Sequence, residues 1–429
     1  MSRADRICVH GLGYVGLPTA AAFAASGHEV VGYDVDETLR AQLAAGEVHV
    51  DEPELEDLVH RALDGGTLTI SDEVVPADFH LVCVPTPFDE ETTDADLSAV
   101  RAAGTSIADV LEHGDTVVLE STVPPRTTTD VFGPILEESG LGAGEEFHLA
   151  YAPETVLPGN VVTELLENDR IVGGVDADAT DAAASLYDGI VDGEIHRTHS
   201  PTVAEFVKLV QNTYRDVNVA LANELATIAA DYGVDSRETI ALANNHPRVD
   251  VLQPGPGVGG HCLPIDPWFL GADSDRLDLI ERARAINEGM VAYVGDLLEA
   301  GLGSLEGAKI AVLGVAYKGN VGDPRKSPGL ALARHLQERT ETTGSEPRSP
   351  VEVALHDPYV TDQTIDLESL ESALDAADGV AIVTDHDEYE RLTPADFDDE
   401  PSGPPVVVDS RAILDTDRFE DAGYPVRTI

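Results

Sequence analysis

The strongest constraint on the fold lies between Arg6 and Asp34. An apolar run, Arg6-Ile-Cys-Val-His10, meets Gly11-Leu-Gly-Tyr-Val-Gly16; a small-residue stretch from Leu17 to Ser26 then leads into a second apolar run, Glu29 to Tyr33. The order strand, glycine turn, helix, strand is a βαβ unit, and it predicts a parallel, doubly wound α/β sheet. In that setting Gly11, Gly13 and Gly16 have separate uses: a tight turn, close approach of a pyrophosphate, and close packing of helix on strand. The helix N-terminus faces the negative charge. Asp34 closes the second strand, eighteen residues past Gly16. There its carboxylate accepts from an adenosine ribose and repels a 2′-phosphate, so the pattern favours NAD over NADP.

Further strands are expected at Phe79 to Val84, Thr116 to Leu119, Phe147 to Tyr151 and Arg170 to Val175, carrying the first domain to about residue 200. Val84-Pro-Thr86-Pro87 and Glu120-Ser-Thr122-Val-Pro124 follow two of these strands, at the edge where open α/β sheets bind ligands. From Thr202 to Tyr232 the chain has no interior Gly or Pro and reads as one long helix; a second helical run covers about Leu279 to Ala300. Long helices between two sheets suit a connector or a dimer core. After Gly307 the first pattern returns in weaker form, with strands at Lys309 to Leu313, Val353 to His356, Val380 to Thr384 and Val406 to Asp409 and a helix from Gly329 to Gln337. The expected organisation is therefore a Rossmann domain over 1–200, a helical domain over 201–303 and a second Rossmann-like domain over 304–429. The polar segment Thr340 to Pro350 reads as a surface loop.

Composition narrows the function. Eighty acidic residues oppose 26 Lys plus Arg, a formal charge of −54, so nucleic acid is an unsuitable partner. The acids are spread along the whole chain, and lysine occurs only at Lys208, Lys309, Lys318 and Lys326. This resembles the proteins of salt-adapted archaea, in which concentrated salt screens surface self-repulsion. Cys8, Cys83 and Cys262 make an odd count without CxxC spacing, which supports neither a disulfide framework nor a metal site. Cys8 and Cys83 lie in apolar runs, as buried strand residues do. No secretory pattern and no membrane-length apolar run is present, so a cytoplasmic protein is expected.

Two constellations carry chemistry. Lys208, Asn212 and Arg215 fall at i, i+4 and i+7 of the long helix and share one face, with Phe206, Leu209 and Val210 as apolar neighbours. A lysine kept there, in a chain that nearly avoids lysine, suits donation to an oxyanion. Gly259-Gly-His-Cys262-Leu-Pro-Ile-Asp266 sets a thiol after a glycine run, with a carboxylate four residues on. The glycines are expected to let the backbone approach a substrate, and amides or a helix end to lower the thiol's pKa.

These segments, with Ala152-Pro-Glu-Thr-Val-Leu-Pro-Gly159, Glu205-Phe-Val-Lys-Leu-Val-Gln-Asn212 and Tyr317-Lys-Gly-Asn-Val-Gly-Asp-Pro-Arg325, resemble the UDP-glucose/GDP-mannose dehydrogenase family over nearly the entire chain. Asn245-His-Pro-Arg-Val249 and Leu252 to Cys262, followed by Asp266-Pro-Trp-Phe269, look most like the branch acting on UDP-N-acetyl-D-mannosamine. The resemblance implies an NAD-dependent oxidation of a UDP-sugar at C6, with Cys262 as nucleophile, Lys208 as proton donor or acceptor and oxyanion partner, and Asn212 beside it. It implies water activation by Asp266 and Glu154, with Thr122 ordering the water. Tyr14, Val15, Asp34, Thr86, Thr122 and Arg325, with the three glycines, are implied to line NAD. Arg215, His246, Arg248, Gly259, Tyr317, Lys318 and Arg411, together with Thr155, Val156, Lys208 and Asn212, are implied to hold the UDP-sugar. Arg248 is implied to reach a neighbouring subunit of a homodimer or larger homo-oligomer. Thr155 stands where the family's Pro-Glu-Arg-Val stretch has Arg, and a hydroxyl does not replace a charged fork. UDP-glucose and UDP-N-acetylglucosamine therefore stay open beside the mannosamine. A single-step hydroxyacid dehydrogenase would share the glycine fingerprint and a catalytic lysine but would need neither Cys262 nor a second nucleotide domain. A cofactor-binding regulator without turnover would not keep Lys208, Asn212, Cys262 and Asp266 together.

Overall fold

The βαβ unit at the N-terminus forms as expected and seeds the larger of two sheets. In the computed structural model, which describes residues 5–341, 349–397 and 404–429, β1 (Arg6–His10) pairs in parallel with β2 (Glu29–Tyr33) around the helix Gly16–Ala25. Most of the segment read as a surface loop, 342–348, lies outside the described residues. The chain divides into two units, Met1–Gln211 with Trp268–Asp275, and Asn212–Pro267 with Arg276–Ile429.

The sheet of the first unit continues through β3 (Leu68–Ser71), β4 (Phe79–Val82), β5 (Thr116–Leu119), β6 (His148–Tyr151), β7 (Arg170–Gly174) and β8 (Ile195–Thr198), in the order β3-β2-β1-β4-β5-β6-β7-β8. One helical layer buries Leu17, Phe23, Val59 and Tyr187 against Ile7 and Val9. The opposite layer sets Val100, Phe132 and Leu136 against Val82, Val117 and Leu149.

The expectation of a wholly parallel sheet needs correction at one pair: β7 runs antiparallel to β6, with Tyr151 opposite Gly173. A parallel return would have carried the chain back across the sheet. Instead residues 152–169 begin and end at the carboxyl edge, and Arg170 overhangs that edge. The reversal keeps the segment bearing Glu154 where open sheets bind their ligands. The edge strands β3 and β8 and the C-terminal strand β13 (Val426–Thr428) had no counterpart among the expected strands.

The second unit holds a five-stranded, all-parallel sheet, β10-β9-β11-β12-β13, built from β9 (Lys309–Leu313), β10 (Glu352–His356), β11 (Gly379–Ile382), β12 (Val406–Asp409) and β13. The helix Asp278–Leu302 lays Met290, Val294 and Leu298 on Ile310, Val312 and Ala381. Here the glycine crossover of the first unit is repeated in disguise. In the first unit a Cβ on Gly16 would stand 1.9 Å from the Gly11 carbonyl oxygen; in the second, a Cβ on Gly329 would stand 2.1 Å from that of Gly314. The two glycines of each pair mark the same strand-to-helix contact, five residues apart in the first case and fifteen in the second. The extra residues form the loop that carries Tyr317, Lys318 and Arg325. Asp357, at the end of β10, occupies the position of Asp34 at the end of β2. Its carboxylate accepts from the amides of Val315, Ala316, Tyr359 and Val360 and from His386 Nε2, and these donors hold it at about 2 despite burial.

The long helix spans Pro201–Tyr232, 32 residues and thus about 48 Å. Pro201 fits its first turn, and Gly233, at φ +65°, ends it. Leu209 is buried, but Phe206 and Val210 are not apolar neighbours of the face carrying Lys208, Asn212 and Arg215: both are over 40% exposed. They belong to an outward stripe with Val203, Tyr214, Leu221, Leu225, Ile228 and Tyr232. No helix among the described residues is long and apolar enough to cross a membrane.

Candidate active site

The nucleotide edge of the first unit starts from its glycines. Gly11 has φ +87°, and a Cβ there would meet the Cys83 carbonyl oxygen at 2.6 Å; Gly13 has nothing within 4 Å of a would-be Cβ. The turn is therefore tight where it touches protein and open where a phosphate would rest. Val15 caps the helix Gly16–Ala25, whose first turn carries no acid, so the end of the helix dipole is uncompensated. These features fit the pyrophosphate of NAD. Asp34 accepts from the Leu12 amide at 2.8 Å and the Asp36 amide at 2.9 Å, which fixes its carboxylate beside the turn. Past β4 and β5, Thr86 Oγ1 donates to the Thr122 carbonyl at 2.7 Å, joining the two Ser/Thr turns into one rim.

Beneath that rim lies a buried ionic cluster for which the sequence had no motif. Glu120 accepts from Tyr187 Oη and from Cys83 Sγ at 3.4 Å and lies 3.0 Å from Arg170 Nη2. Arg170 stacks 4.5 Å over the Tyr187 ring. Burial together with Glu120 pushes the Cys83 thiol well up, so this cysteine is no nucleophile.

Lys208 Nζ donates to the Glu154 carbonyl at 2.8 Å and to Glu154 Oε1 at 3.1 Å, with both side chains largely buried. Burial pushes the Glu154 carboxyl up; the Lys208 ammonium, the Val156 amide and Arg170 outweigh it and hold Glu154 below its ordinary value. Glu154 is thus an anion whose second oxygen is occupied by the Val156 amide at 2.8 Å. Thr155 and Val156 follow, half-buried. Glu205, three residues before Lys208, accepts from the Arg126 amide at 2.5 Å, the Thr128 amide at 2.7 Å and Thr128 Oγ1 at 2.6 Å, tying the chain beyond Thr122 to the helix.

One helical turn on, Asn212 belongs to the second unit. Its Nδ2 donates to Asp266 Oδ2 at 2.5 Å and its Oδ1 accepts from Arg215 Nη2, so the amide has one orientation. The Asp266 and Ile265 amides donate to the Cys262 carbonyl at 2.9 and 3.0 Å, which sets Cys262 at the entrance of the helix Asp266–Leu270. Cys262 is exposed, whereas Cys8 is buried and Cys83 half-buried.

The glycines before Cys262 serve a different contact from the one expected. A Cβ on Gly260 would lie 2.9 Å from the Tyr317 ring, and one on Gly259 would lie 2.6 Å from the Lys326 carbonyl oxygen. Their missing side chains admit the protein's own Tyr317 loop rather than leaving room for a ligand. Gly260 N–H donates to the Arg325 carbonyl at 3.0 Å, closing the contact. The Tyr317 hydroxyl is pushed up to about 12, mainly by burial, then by Asp323 and the Cys262 thiolate, with Arg325 and Arg215 opposing. Cys262, Tyr317, Arg215 and Arg325 therefore share one electrostatic neighbourhood. Arg325, read as a cofactor residue, gives its fork to Asp323 at 2.6–3.0 Å. Upstream, Gly255 N–H donates to Asn223 Oδ1, Asn223 to Asn287, and Asn287 to Asp216, which also takes Arg284 at 2.7 Å; this buried chain moors the cysteine loop to two helices.

Arg411 donates from Nε to the Val383 carbonyl and lies against Gly255. Lys318 is exposed. His246 and Arg248 sit on an exposed loop closed by Asn244, which exchanges hydrogen bonds with Val251 in both directions at 2.8–2.9 Å. Among the described residues one grouping has metal-ligand chemistry, Cys8, His10 and His80 in the first sheet. There His10 Nε2 already pairs with His80 Nδ1 at 3.1 Å, and burial moves Cys8 up to about 11 and His80 down to about 4. These are the neutral groups of an apolar core.

The chain matches the UDP-glucose/GDP-mannose dehydrogenase family in three parts: its NAD binding domain over residues 5–191, its central domain over 202–289 and its UDP binding domain over 311–416. It is 39% identical to the UDP-N-acetyl-D-mannosamine dehydrogenase of Methanocaldococcus jannaschii over 98% of this chain and 95% of that one. Its fold is similar to the structure of the Pyrococcus horikoshii UDP-D-ManNAc dehydrogenase, with a TM-score of 0.89, 40% identity and 99% of each chain covered. A UDP-glucose dehydrogenase from Pyrobaculum islandicum is similar at a TM-score of 0.83 and 31% identity, covering 96% of this chain and 95% of that one. With all three domains matched in order and the glycine, lysine and cysteine segments in place, the chain belongs to the UDP-glucose/GDP-mannose dehydrogenase family, whose cofactor is NAD.

Proposed function

We propose that this protein oxidises the C6 alcohol of UDP-N-acetyl-D-mannosamine to the carboxylate, using two NAD and one water and releasing two NADH and three protons. The observation that carries the reading is the paired anchoring on one helix face: Lys208 held by Glu154, and Asn212 held by Asp266 next to Cys262. NAD, when bound, accepts a hydride at each of the two oxidations. After the first, the Cys262 thiolate adds to the C6 aldehyde, forming the C–S bond and placing negative charge on oxygen. Lys208 and Asn212 are the donors proposed for that oxyanion, and their fixed orientation avoids reorganisation as the charge develops. The second oxidation leaves a thioester, and water deprotonated by Asp266 or Glu154, with Thr122 ordering it, releases the uronate and restores the thiol.

Gly11, Gly13, Tyr14, Val15, Gly16, Asp34, Thr86 and Thr122 are proposed for NAD. Arg325, whose fork is on Asp323, is proposed for NAD as well. Thr155, Val156, Arg215, Gly259, Tyr317, Lys318 and Arg411 are proposed for the UDP-sugar. The exposed apolar stripe of the long helix supports a homodimer, and the exposed His246–Arg248 loop supports Arg248 serving a neighbouring subunit. The proposed division is 1–200, 201–303 and 304–429, and the proposed setting is the cytoplasm of a salt-adapted cell, where the −54 charge is screened.

The test is NADH and uronate yield in molar KCl with UDP-N-acetylmannosamine, UDP-N-acetylglucosamine and UDP-glucose, for the parent and Cys262→Ser. Two NADH per sugar with the mannosamine, and at most one without uronate in the variant, are expected. Preference for UDP-glucose overturns the sugar, and full uronate from Cys262→Ser overturns the thiol.

A further inference from the structure

Glu52 has no part in the chemistry above, yet its side chain touches both ligand-facing segments of the first unit. It is buried in the loop ahead of the helix Leu55–Asp64. Oε1 accepts from Tyr14 Oη and from the Gly159 amide at 2.7 Å, and Oε2 accepts from the Val161 amide at 3.1 Å. Tyr14 lies inside the glycine turn, between Gly13 and Gly16, and is the only side chain there that reaches across to this carboxylate. Gly159 and Val161 end the segment that starts at Glu154. Val161 opens the helix Val161–Glu167, whose cap residue, Asn160, gives no side-chain bond. Glu52 therefore stands in as the missing cap from more than a hundred residues away.

The segment 154–161 is thus fixed at two ends. Lys208 grips its start through the Glu154 carbonyl and carboxylate; Glu52 grips its finish through two amides. Glu52 also bonds the cofactor turn, through Tyr14. The two oxygens of a carboxylate offer about four acceptor sites, so Glu52 holds Tyr14 and both amides at once, and a restraint on one of them is passed through the shared side chain to the others.

We propose that Glu52 is a positioning residue that couples occupancy of the glycine turn to the order of residues 155–161. A pyrophosphate settling on the turn restrains Tyr14, Tyr14 restrains Glu52, and Glu52 restrains the Gly159 and Val161 amides, so that Thr155 and Val156 are presented in one conformation. NAD then prepares the segment proposed to receive the sugar, and by reciprocity the sugar tightens NAD. This rests on the proposed function for the role of Thr155 and Val156 but not for the linkage itself.

The test reads the linkage directly. Amide hydrogen exchange of peptides covering 155–161 is followed with and without NADH in the parent, Tyr14→Phe, Glu52→Gln and Glu52→Ala, each at NADH concentrations saturating for that variant. NADH is expected to slow exchange in the parent by about fivefold or more, the lower end of ordinary coupling. Tyr14→Phe keeps the Glu52 cap and cuts only the link, so its exchange without NADH stays near the parent's while the NADH-dependent protection is lost. Both Glu52 variants exchange faster at 155–161 without NADH and show no added protection with it. Equal NADH-dependent protection in the parent and Tyr14→Phe, or none in the parent, would show Glu52 to be a static cap and overturn the proposal. The readout needs no turnover. A linkage found in a protein inactive on all three sugars would leave the inference standing and sink the sugar reading, and turnover without linkage would do the reverse.

Discussion

Replacing Lys208 by Met tests the electrostatic logic of the site on stability alone, apart from catalysis. Methionine keeps most of the length and apolar stem and removes the ammonium. What is left is the Glu154 carboxylate, whose side chain is 13% exposed and whose pairing atom had its cation at 3.1 Å. Removing one partner of a buried pair costs roughly 3–5 kcal/mol. Glu154 keeps the Val156 amide and the field of Arg170, so the lower end, about 3 kcal/mol, is expected. For a unit of this size that is a fall of about 6–12 °C in Tm.

The pH dependence also changes sign. In the parent the folded Glu154 carboxyl lies below its unfolded value of 4.5, so its contribution is present above that value and disappears as pH falls through the folded one. Without Lys208 burial dominates and the folded value rises above the unfolded one. The contribution is then present at low pH and disappears as pH climbs through the new folded value. The cost of Lys208→Met should therefore be small near pH 5 and full at pH 8, and Lys208→Met with Glu154→Gln should recover most of the loss. Urea unfolding of the three proteins at both pH values, in constant KCl, measures this. Screening by salt should matter little, because the pair is buried. Equal stability of single and double variants, or a cost that does not grow between pH 5 and pH 8, would refute the reasoning.

Three further outcomes follow from other parts of the chain. Arg126 holds φ at +76° with only an exposed Asp130 as its ion-pair partner, so Arg126→Gly should stabilise the protein by about 1 kcal/mol, and a lowered Tm would contradict this. Gly260→Ala, at φ +87° with a Cβ 2.9 Å from Tyr317, should displace the Cys262 loop and lower kcat by about 10²-fold, the cost of roughly 1 Å of misplacement; a kcat within twofold of the parent would remove the packing argument. His80 is held down at about 4 against 6.5, so the unfolded chain takes up its proton first as pH falls and stability drops through that window. The loss between pH 7 and pH 5 is about 2 kcal/mol from His80 alone, and a His80→Leu variant whose Tm falls as steeply as the parent's would refute it.

How much of this was legible depended on whether a feature is local. The first glycine fingerprint was plain because all its parts lie within one βαβ unit, and Lys208, Asn212 and Arg215 because helical periodicity alone puts them on one face. The direction of β7 was hidden, since strand pattern is the same in either direction and only the path of 152–169 decides it. Edge strands such as Leu68–Ser71 and Ile195–Thr198 are four residues long and at least half polar, too short for alternation to stand out. Phe206 and Val210 read as apolar neighbours of the Lys208 face because hydropathy does not separate a buried apolar face from an exposed one. Glu52 and Arg170 gave no signal at all: each is one charged residue among charged neighbours in the sequence, and the partners that single it out are brought in by the fold, over a hundred residues away for Gly159 and Val161 on Glu52 and fifty for Glu120 on Arg170.

The disguised second fingerprint shows why the cysteine loop is built from glycine. Gly314 and Gly329 keep the strand-to-helix contact of a nucleotide-binding crossover while the chain between them leaves the turn and returns. That excursion carries Tyr317, and Tyr317 fills the space that side chains on Gly259 and Gly260 would need. An exposed thiol on a glycine run would ordinarily be mobile, since glycine loses the most backbone freedom on ordering. Here the aromatic ring, the Gly260 to Arg325 hydrogen bond and the Gly255 to Asn223 bond hold the run on two sides. The flexibility encoded in the glycines is used up in fitting the loop to the insertion, and Cys262 inherits the rigidity of the second sheet. The proposed capture of an aldehyde by this thiol depends on that rigidity, because attack requires the thiolate already standing within about 3–3.5 Å of the carbon it captures.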